Sequence, residues 1–407
     1  MEADMSAGNT PCWVKPEVLR TLRERAGLQY DEIEQRAQKL KRAHYATVTR
    51  QELEAWERGL ASPNLEHLET LSTIYGCPVG HFFLHELPQP HLPLGTRGLA
   101  AGKENRLSPL TQQTLRRFLD LSDWMAVLLE EHGIAWEVTI RPIKAQQPER
   151  LVDQERERFG CSEQVRQQWE TDEDALTWWR RQIEAQGVFV FEMKLDPSEV
   201  RGASRWVASR FPFILVNRQD AETATGRLFT LLHEYAHILT AQEGITCDFR
   251  GSGAEGQGIE SFANRFAARM LLPLEQFIRS LQQAGKLQFR ENWSDADLDE
   301  LRRPFFVSRD VIAIALQEMG LAPAGFYQRK REQWERRRPW GRAKTRRPLT
   351  KKERKAREMG WSAVRVLLAL ERQDALPLMD AASALDMKVE KVLEFLRWAR
   401  SEMPSDG

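Results

Sequence analysis

His233-Glu234-Tyr235-Ala236-His237 sets two imidazoles four residues apart, with a carboxylate directly after the first. On a helix, residues four apart share a face, so both rings can reach one metal ion. Glu234 then stands close enough to take the proton of a water activated there. That donor set is the chemistry of a zinc hydrolase on one turn of backbone. The run lies in apolar sequence, Leu228-Phe229-Thr230-Leu231-Leu232 before it and Ile238-Leu239 after it. The bland alternative is a surface helix with incidental histidines, which those flanks disfavour.

A catalytic zinc needs a third protein ligand and one open position. Glu260-Ser261-Phe262-Ala263-Asn264 lies on the next amphipathic stretch, Ile259–Leu272, and offers Glu260. Enough chain separates it from His237 to turn back and lay a second helix on the first. Asn264, one turn further along the same face, can orient a ligand from behind. The competing role for Glu260 is a solvated carboxylate at a helix start, where negative charge is favoured anyway. Tyr235 could donate to a substrate oxyanion, but its spacing favours packing. Cys247 reads as an ordinary loop cysteine.

Three strand-like runs and several helices must position these groups. Gly187–Phe191, Arg205–Ala208 and Phe213–Asn217 are short and rich in β-formers. Helical periodicity runs through Thr111–His132 and Asp172–Gln186. The order predicts an α+β centre with a small antiparallel three-stranded sheet in a mainly α chain. The strand ending at Asn217 is expected to offer an edge for an extended substrate.

Before this centre, Pro16–Arg23, Tyr30–Leu40, Arg50–Arg58 (capped by Thr49, closed by Gly59) and Leu65–Tyr75 predict four or five short helices. Pro88, Pro90, Pro93, Gly95 and Gly98 mark a linker. The expected division is a helical unit at 13–87, a linker at 88–110 and the catalytic domain at 111–328. A basic linker at 329–357 and a small helical appendage at 358–407 follow. From Arg329 to Arg357 fifteen Lys and Arg face three Glu, a local charge of +12 in a chain of zero formal charge. Trp334 and Trp340 lie in this belt, which suits a solvated linker, nucleic-acid contact or an acidic partner.

Composition sets the outer bounds. At 42% apolar and 29% charged, the chain reads as a globular protein of two or three domains. No apolar run reaches the ~18 residues of a membrane span. Met1–Thr10 does not read as a secretion signal, and Cys12, Cys77, Cys161 and Cys247 have no paired spacing. Those features point to a reducing cytoplasm and no membrane partner.

Two resemblances sharpen the picture. The histidine pair with a later helix-borne glutamate resembles the gluzincin peptidases. More closely, Phe213–Asn217, Arg227–Leu239, Glu260–Pro273, Val307-Ser308 and Val311–Leu321 resemble the ImmA/IrrE metallo-endopeptidases. That likeness implies a zincin-like domain with Zn2+ on His233, His237 and Glu260, and Glu234 as general base. Its implied substrates are helix-turn-helix repressors or antitoxins, cleaved in stress or mobile-element control. Leu22-Arg23, Gly27-Leu28, Trp56-Glu57-Arg58-Gly59, Pro63 and Phe82-Phe83 resemble the XRE-type (Cro/phage-repressor-like) helix-turn-helix family. If that unit meets DNA, Arg50 and Gln51 are the side chains expected to reach base edges. Lys15–Glu69 holds ten basic and ten acidic residues, so a protein-docking role competes.

Three functions remain open at this level. The first is a zinc endopeptidase that cuts a regulator. The second is a DNA-binding regulator or antitoxin whose peptidase-like domain captures a partner without turnover. The third is a zinc hydrolase acting on another substrate. The complete His233, Glu234, His237 and Glu260 set favours the first.

Overall fold

The computed structural model describes residues 11–26, 28–40, 46–77, 79–84, 87, 107–143, 148–219, 224–241, 244–246, 257–337 and 349–403. The expected linker from Pro88 to Gly98, Cys247 and Trp340 lie outside them. The chain divides into two compact units, at 117/118. Among the described residues no helix is long and apolar enough to cross a membrane.

The first unit holds α1 (Pro16–Arg25), α2 (Tyr30–Lys39), α3 (Arg50–Glu57), α4 (Leu65–Tyr75) and a 3-10 turn over Val79–Phe83. Local chemistry sets the helix starts. Thr49 caps α3 by accepting from the Glu52 backbone N–H, and Glu52 accepts in return from Thr49 N at 2.9 Å. Asn64 Oδ1 caps α4 through His67 N at 2.9 Å. Ile33, Leu53, Leu68, Leu71 and Phe82 fill the core. Buried Glu57 ties three helices together, accepting from Arg23 Nε at 2.7 Å and Tyr30 Oη at 2.8 Å.

Unit two is α+β. Helix α5 (Pro109–Glu131) crosses into it, followed by α6 (Pro148–Phe159), α7 (Glu163–Gln167) and α8 (Asp172–Ala185). Strands β1 (Phe189–Met193), β2 (Gly202–Val207) and β3 (Phe211–Asn217) come next, then α9 (Ala224–Leu239) and β4 (Gly244–Thr246). The remainder is helical: α10 (Gln257–Leu271), α11 (Leu274–Gln283), α12 (Asp295–Arg302), α13 (Arg309–Glu318), α14 (Phe326–Arg337), α15 (Lys351–Arg372), α16 (Leu378–Ala384) and α17 (Val389–Glu402).

The three expected strands form a sheet, joined by three-residue β4 in the order β1-β3-β2-β4. The sheet is mixed, not purely antiparallel as expected. β3 runs parallel to β1 and antiparallel to β2. The β1–β2 connection steps over one strand position, and the tight turn after Val207 folds β3 into the gap. β3 is therefore interior, so the substrate edge expected at Asn217 does not exist. Asn217 has a different task. Its buried side chain donates to Leu195 O and Val200 O and accepts from Leu195 N, pinning that connection.

Both sheet faces are covered. Phe189 and Phe191 stack on Phe213, with Phe118 of α5 edge-on to Phe191. Val190, Ile214 and Val216 join the opposite core, with Leu228, Leu231 and Leu232 of α9.

Of the helices expected as a C-terminal appendage, α16 and α17 pack on each other and α17 on α15, whereas α15 joins the central domain. α15 packs on β1. The Val188 carbonyl accepts from Ser362 Oγ at 3.0 Å and the Val190 carbonyl from Arg180 Nη2. Side chains thus satisfy backbone carbonyls that the β1–β3 ladder leaves over. Gly360 makes this approach possible. It interrupts α15 with φ 76° and ψ 154°, and a Cβ there would lie 2.4 Å from Glu184 Oε1 and from Val190 O. The expected basic linker is likewise helical at both described ends. Lys330 pairs with Asp295 at 2.8 Å and Arg357 with Glu192 at 2.9 Å, so part of its charge is spent inside the fold.

Candidate metal centre

Helix α9 is buried nearly all round, which fits its apolar flanks. His233, Glu234 and His237 carry 0%, 0% and 5% exposure. Tyr235, on the far side, donates its hydroxyl to Glu155 Oε2 at 2.7 Å, and its ring packs against Phe159 and Phe266. Tyr235 therefore packs, and its hydroxyl is committed.

Helix α10 lies against α9 and brings Glu260 to the two imidazoles. His233 Nε2 and His237 Nε2 are 3.0 Å apart. Glu260 Oε2 is 3.2 Å from the first and Oε1 is 3.4 Å from the second. Ligand atoms around a tetrahedral zinc at its usual bond lengths sit about 3.3 Å from one another. The three side chains fall near that spacing and could hold a metal ion.

Asn264 Oδ1 lies 3.0 Å from His233 Nδ1. An amide oxygen only accepts, so Nδ1 carries a proton, and in the neutral ring Nε2 turns a lone pair toward His237 and Glu260. Such a convergence of acceptors calls for a cation. Burial alone would raise the Glu260 pKa. With no ion bound, protons on the imidazole Nε2 atoms let His233 and His237 hydrogen-bond and attract the carboxylate, which outweighs burial and holds Glu260 below its ordinary range. The centre therefore favours an ionised carboxylate, as a metal ligand must be.

Glu234, next to His233 on α9, meets strand β2. Its Oε2 accepts from Ser204 Oγ of β2 at 2.7 Å. Its Oε1 is buried and has no hydrogen-bond partner among the described residues.

Residues 183–317 match the IrrE N-terminal-like domain of peptidase M78. This M78 peptidase-like segment covers about a third of the chain and contains β1 to β3, α9, α10 and all three of His233, His237 and Glu260. It ends before α15 and does not extend to the first unit. No curated protein and no solved structure matches the chain.

Sequence reasoning brought His233, Glu234, His237, Glu260 and Asn264 to one place, and the M78-like fold holds them there. It missed Ser204 and Gly202. A glycine inside a strand marks close approach of another group, and that was the available signal. The remaining candidates, Arg50 and Gln51, lie on α3 of the first unit. Arg50 is engaged by Glu54 at 2.8 Å and Asp31 at 3.1 Å. Gln51 is exposed.

Proposed function

We propose that the M78-like domain is a zinc-dependent endopeptidase centre that cleaves a regulatory protein, a helix-turn-helix repressor or an antitoxin. One observation carries this reading: two buried imidazoles and the Glu260 carboxylate bring three ligand atoms together, next in sequence to a buried carboxylate, Glu234, with one oxygen unpartnered among the described residues.

His233, His237 and Glu260 would hold the ion, with Asn264 fixing the His233 tautomer. When bound, zinc supplies Lewis acidity toward a water and a peptide carbonyl. An anionic third ligand makes that acidity weaker than three neutral imidazoles would, so proton removal falls to Glu234. Oε1 of Glu234 takes the water's proton and passes it to the leaving amine nitrogen.

For the first unit we propose a docking role, in keeping with its resemblance to XRE-type modules. To read a base edge, Arg50 would have to leave both Asp31 and Glu54. Together with the balanced charge of the unit, this favours a protein partner, such as the repressor to be cut, over DNA. The +12 belt remains the stronger candidate for contact with nucleic acid.

The test is metal content and cleavage on the full chain. Wild type should carry about one zinc per chain, Glu234→Gln should keep it while losing cleavage, and His237→Ala should lose it. A zinc-free wild type sinks the proposal. Cleavage that survives Glu234→Gln also defeats it.

A further inference from the structure

Glu234 is seated by the strand opposite it. Ser204 Oγ is fully buried and donates to Glu234 Oε2 at 2.7 Å. Two residues earlier on the same strand, Gly202 leaves the room the carboxylate occupies. A Cβ on Gly202 would stand 2.8 Å from Glu234 Oε1, 2.9 Å from its Cγ and 2.7 Å from Thr230 Cγ2. Residues i and i+2 of a strand face the same side, so the gap and the donor are presented together. The strand is itself held between β3 and β4.

A buried carboxylate normally fills its acceptor sites, and an unfilled one needs an explanation. Here the two oxygens are unequal. Oε2 is occupied by the serine hydroxyl, whereas Oε1 has no partner among the described residues. A free glutamate side chain samples several rotamers, and a hydrogen bond to a charged acceptor is strong enough to select one.

We propose that Ser204 is a positioning residue: it fixes the Glu234 carboxylate so that Oε1 alone faces the reacting proton, in the space left by Gly202. This rests on the zinc-centre reading above. Ser204 touches no reacting atom and acts through Glu234.

The test uses the full-length zinc-loaded protein with acetohydroxamate as the probe. This small bidentate oxygen ligand needs a carboxylate beside the metal to accept its proton, so its affinity reports where Glu234 stands, without a peptide substrate. Ser204→Ala should keep about one zinc per chain and bind acetohydroxamate about tenfold more weakly. Ser204→Thr, which retains the hydroxyl, should restore the affinity. A crystal structure of Ser204→Ala should show the Glu234 carboxylate rotated from its place.

Gly202→Ala provides a second test, because it displaces the same carboxylate while leaving the serine. Zinc retained with weaker acetohydroxamate binding supports the seat. Wild-type affinity in Ser204→Ala, with Glu234→Gln weakened, overturns the role of Ser204 and leaves the zinc centre standing. Absence of zinc, or Glu234→Gln binding as wild type, removes the zinc-centre reading and this inference together.

Discussion

Arg357 Nε lies 2.9 Å from Glu192 Oε2, joining α15 to β1 across most of the second unit's sequence. Glu192 is 2% exposed and is also paired with Arg180 at 2.8 Å and Arg227 at 3.8 Å. Arg227 lies on α9, two turns before His233 and Glu234, so the cluster ties the C-terminal helix to the helix of the metal centre.

Arg357→Ala should therefore destabilise the second unit. A buried charge stripped of its only partner costs about 3–5 kcal/mol. Arg180 and Arg227 remain here, and the expected loss is about 1–2 kcal/mol. Urea unfolding of wild type and variant measures it; identical midpoints would show that α15 is not held by this pair.

The pH dependence of that stability follows from the same carboxylate. Burial alone would raise the Glu192 pKa, but Arg180, Arg357 and Arg227 outweigh it and hold the group below its ordinary value. A folded pKa below the unfolded one, about 4.3, stabilises fully above that pH and less as pH falls through the folded value. The stability gap between wild type and Glu192→Gln should be constant from pH 7 to 5 and shrink below about pH 4. Unfolding midpoints at pH 7, 5, 4 and 3 check this; a gap that widens on acidification contradicts it.

Gly360→Ala should be among the most damaging single changes in α15. The added Cβ meets Glu184 Oε1 and Val190 O at 2.4 Å, in a backbone conformation with φ 76°. Contact and strain together predict a loss of about 3 kcal/mol or more. Thermal unfolding reads it directly, and a drop under about 2 °C would mean that the kink relaxes freely.

Zinc should stabilise the second unit by mass action. At a hundredfold excess over Kd the gain is about 2.7 kcal/mol, or roughly 5–10 °C in Tm. Chelator-treated wild type should show this rise on adding zinc, and His237→Ala should show none. Equal shifts in both proteins would place the ion elsewhere.

Asn264→Ala removes the acceptor that fixes the His233 tautomer. Loss of such an outer partner commonly lowers metal affinity about 10–100-fold. Competition with a chromophoric chelator would measure it, and unchanged affinity would reduce Asn264 to a packing residue.

The trio was legible because its geometry is local. Two histidines on one turn need only a helix, and the helix was written in the apolar flanks of α9. Glu260 and Asn264 are likewise one turn apart on α10. Ser204 was not legible, since its partner is thirty residues away and their meeting depends on which strand lies beneath α9. Strand order failed for the same reason: nothing local to Phe213–Asn217 says that β3 enters between two earlier strands. Gly360 was silent for the same reason. A glycine inside a helical pattern marks a break, as it does here, but nothing local says that the break lets α15 approach Glu184 and Val190.

The cover over β1 also imposes an order on synthesis. β1 leaves the ribosome about 160 residues before the helix that seals it. At about 5–20 residues per second, that interval is roughly 10–30 s. Until it ends the Val188 carbonyl lacks Ser362, and Glu192 has Arg180 and, once made, Arg227, but not Arg357. A nascent chain in this state resembles a product truncated before α15, and both should be prime clients for chaperones that capture exposed strands.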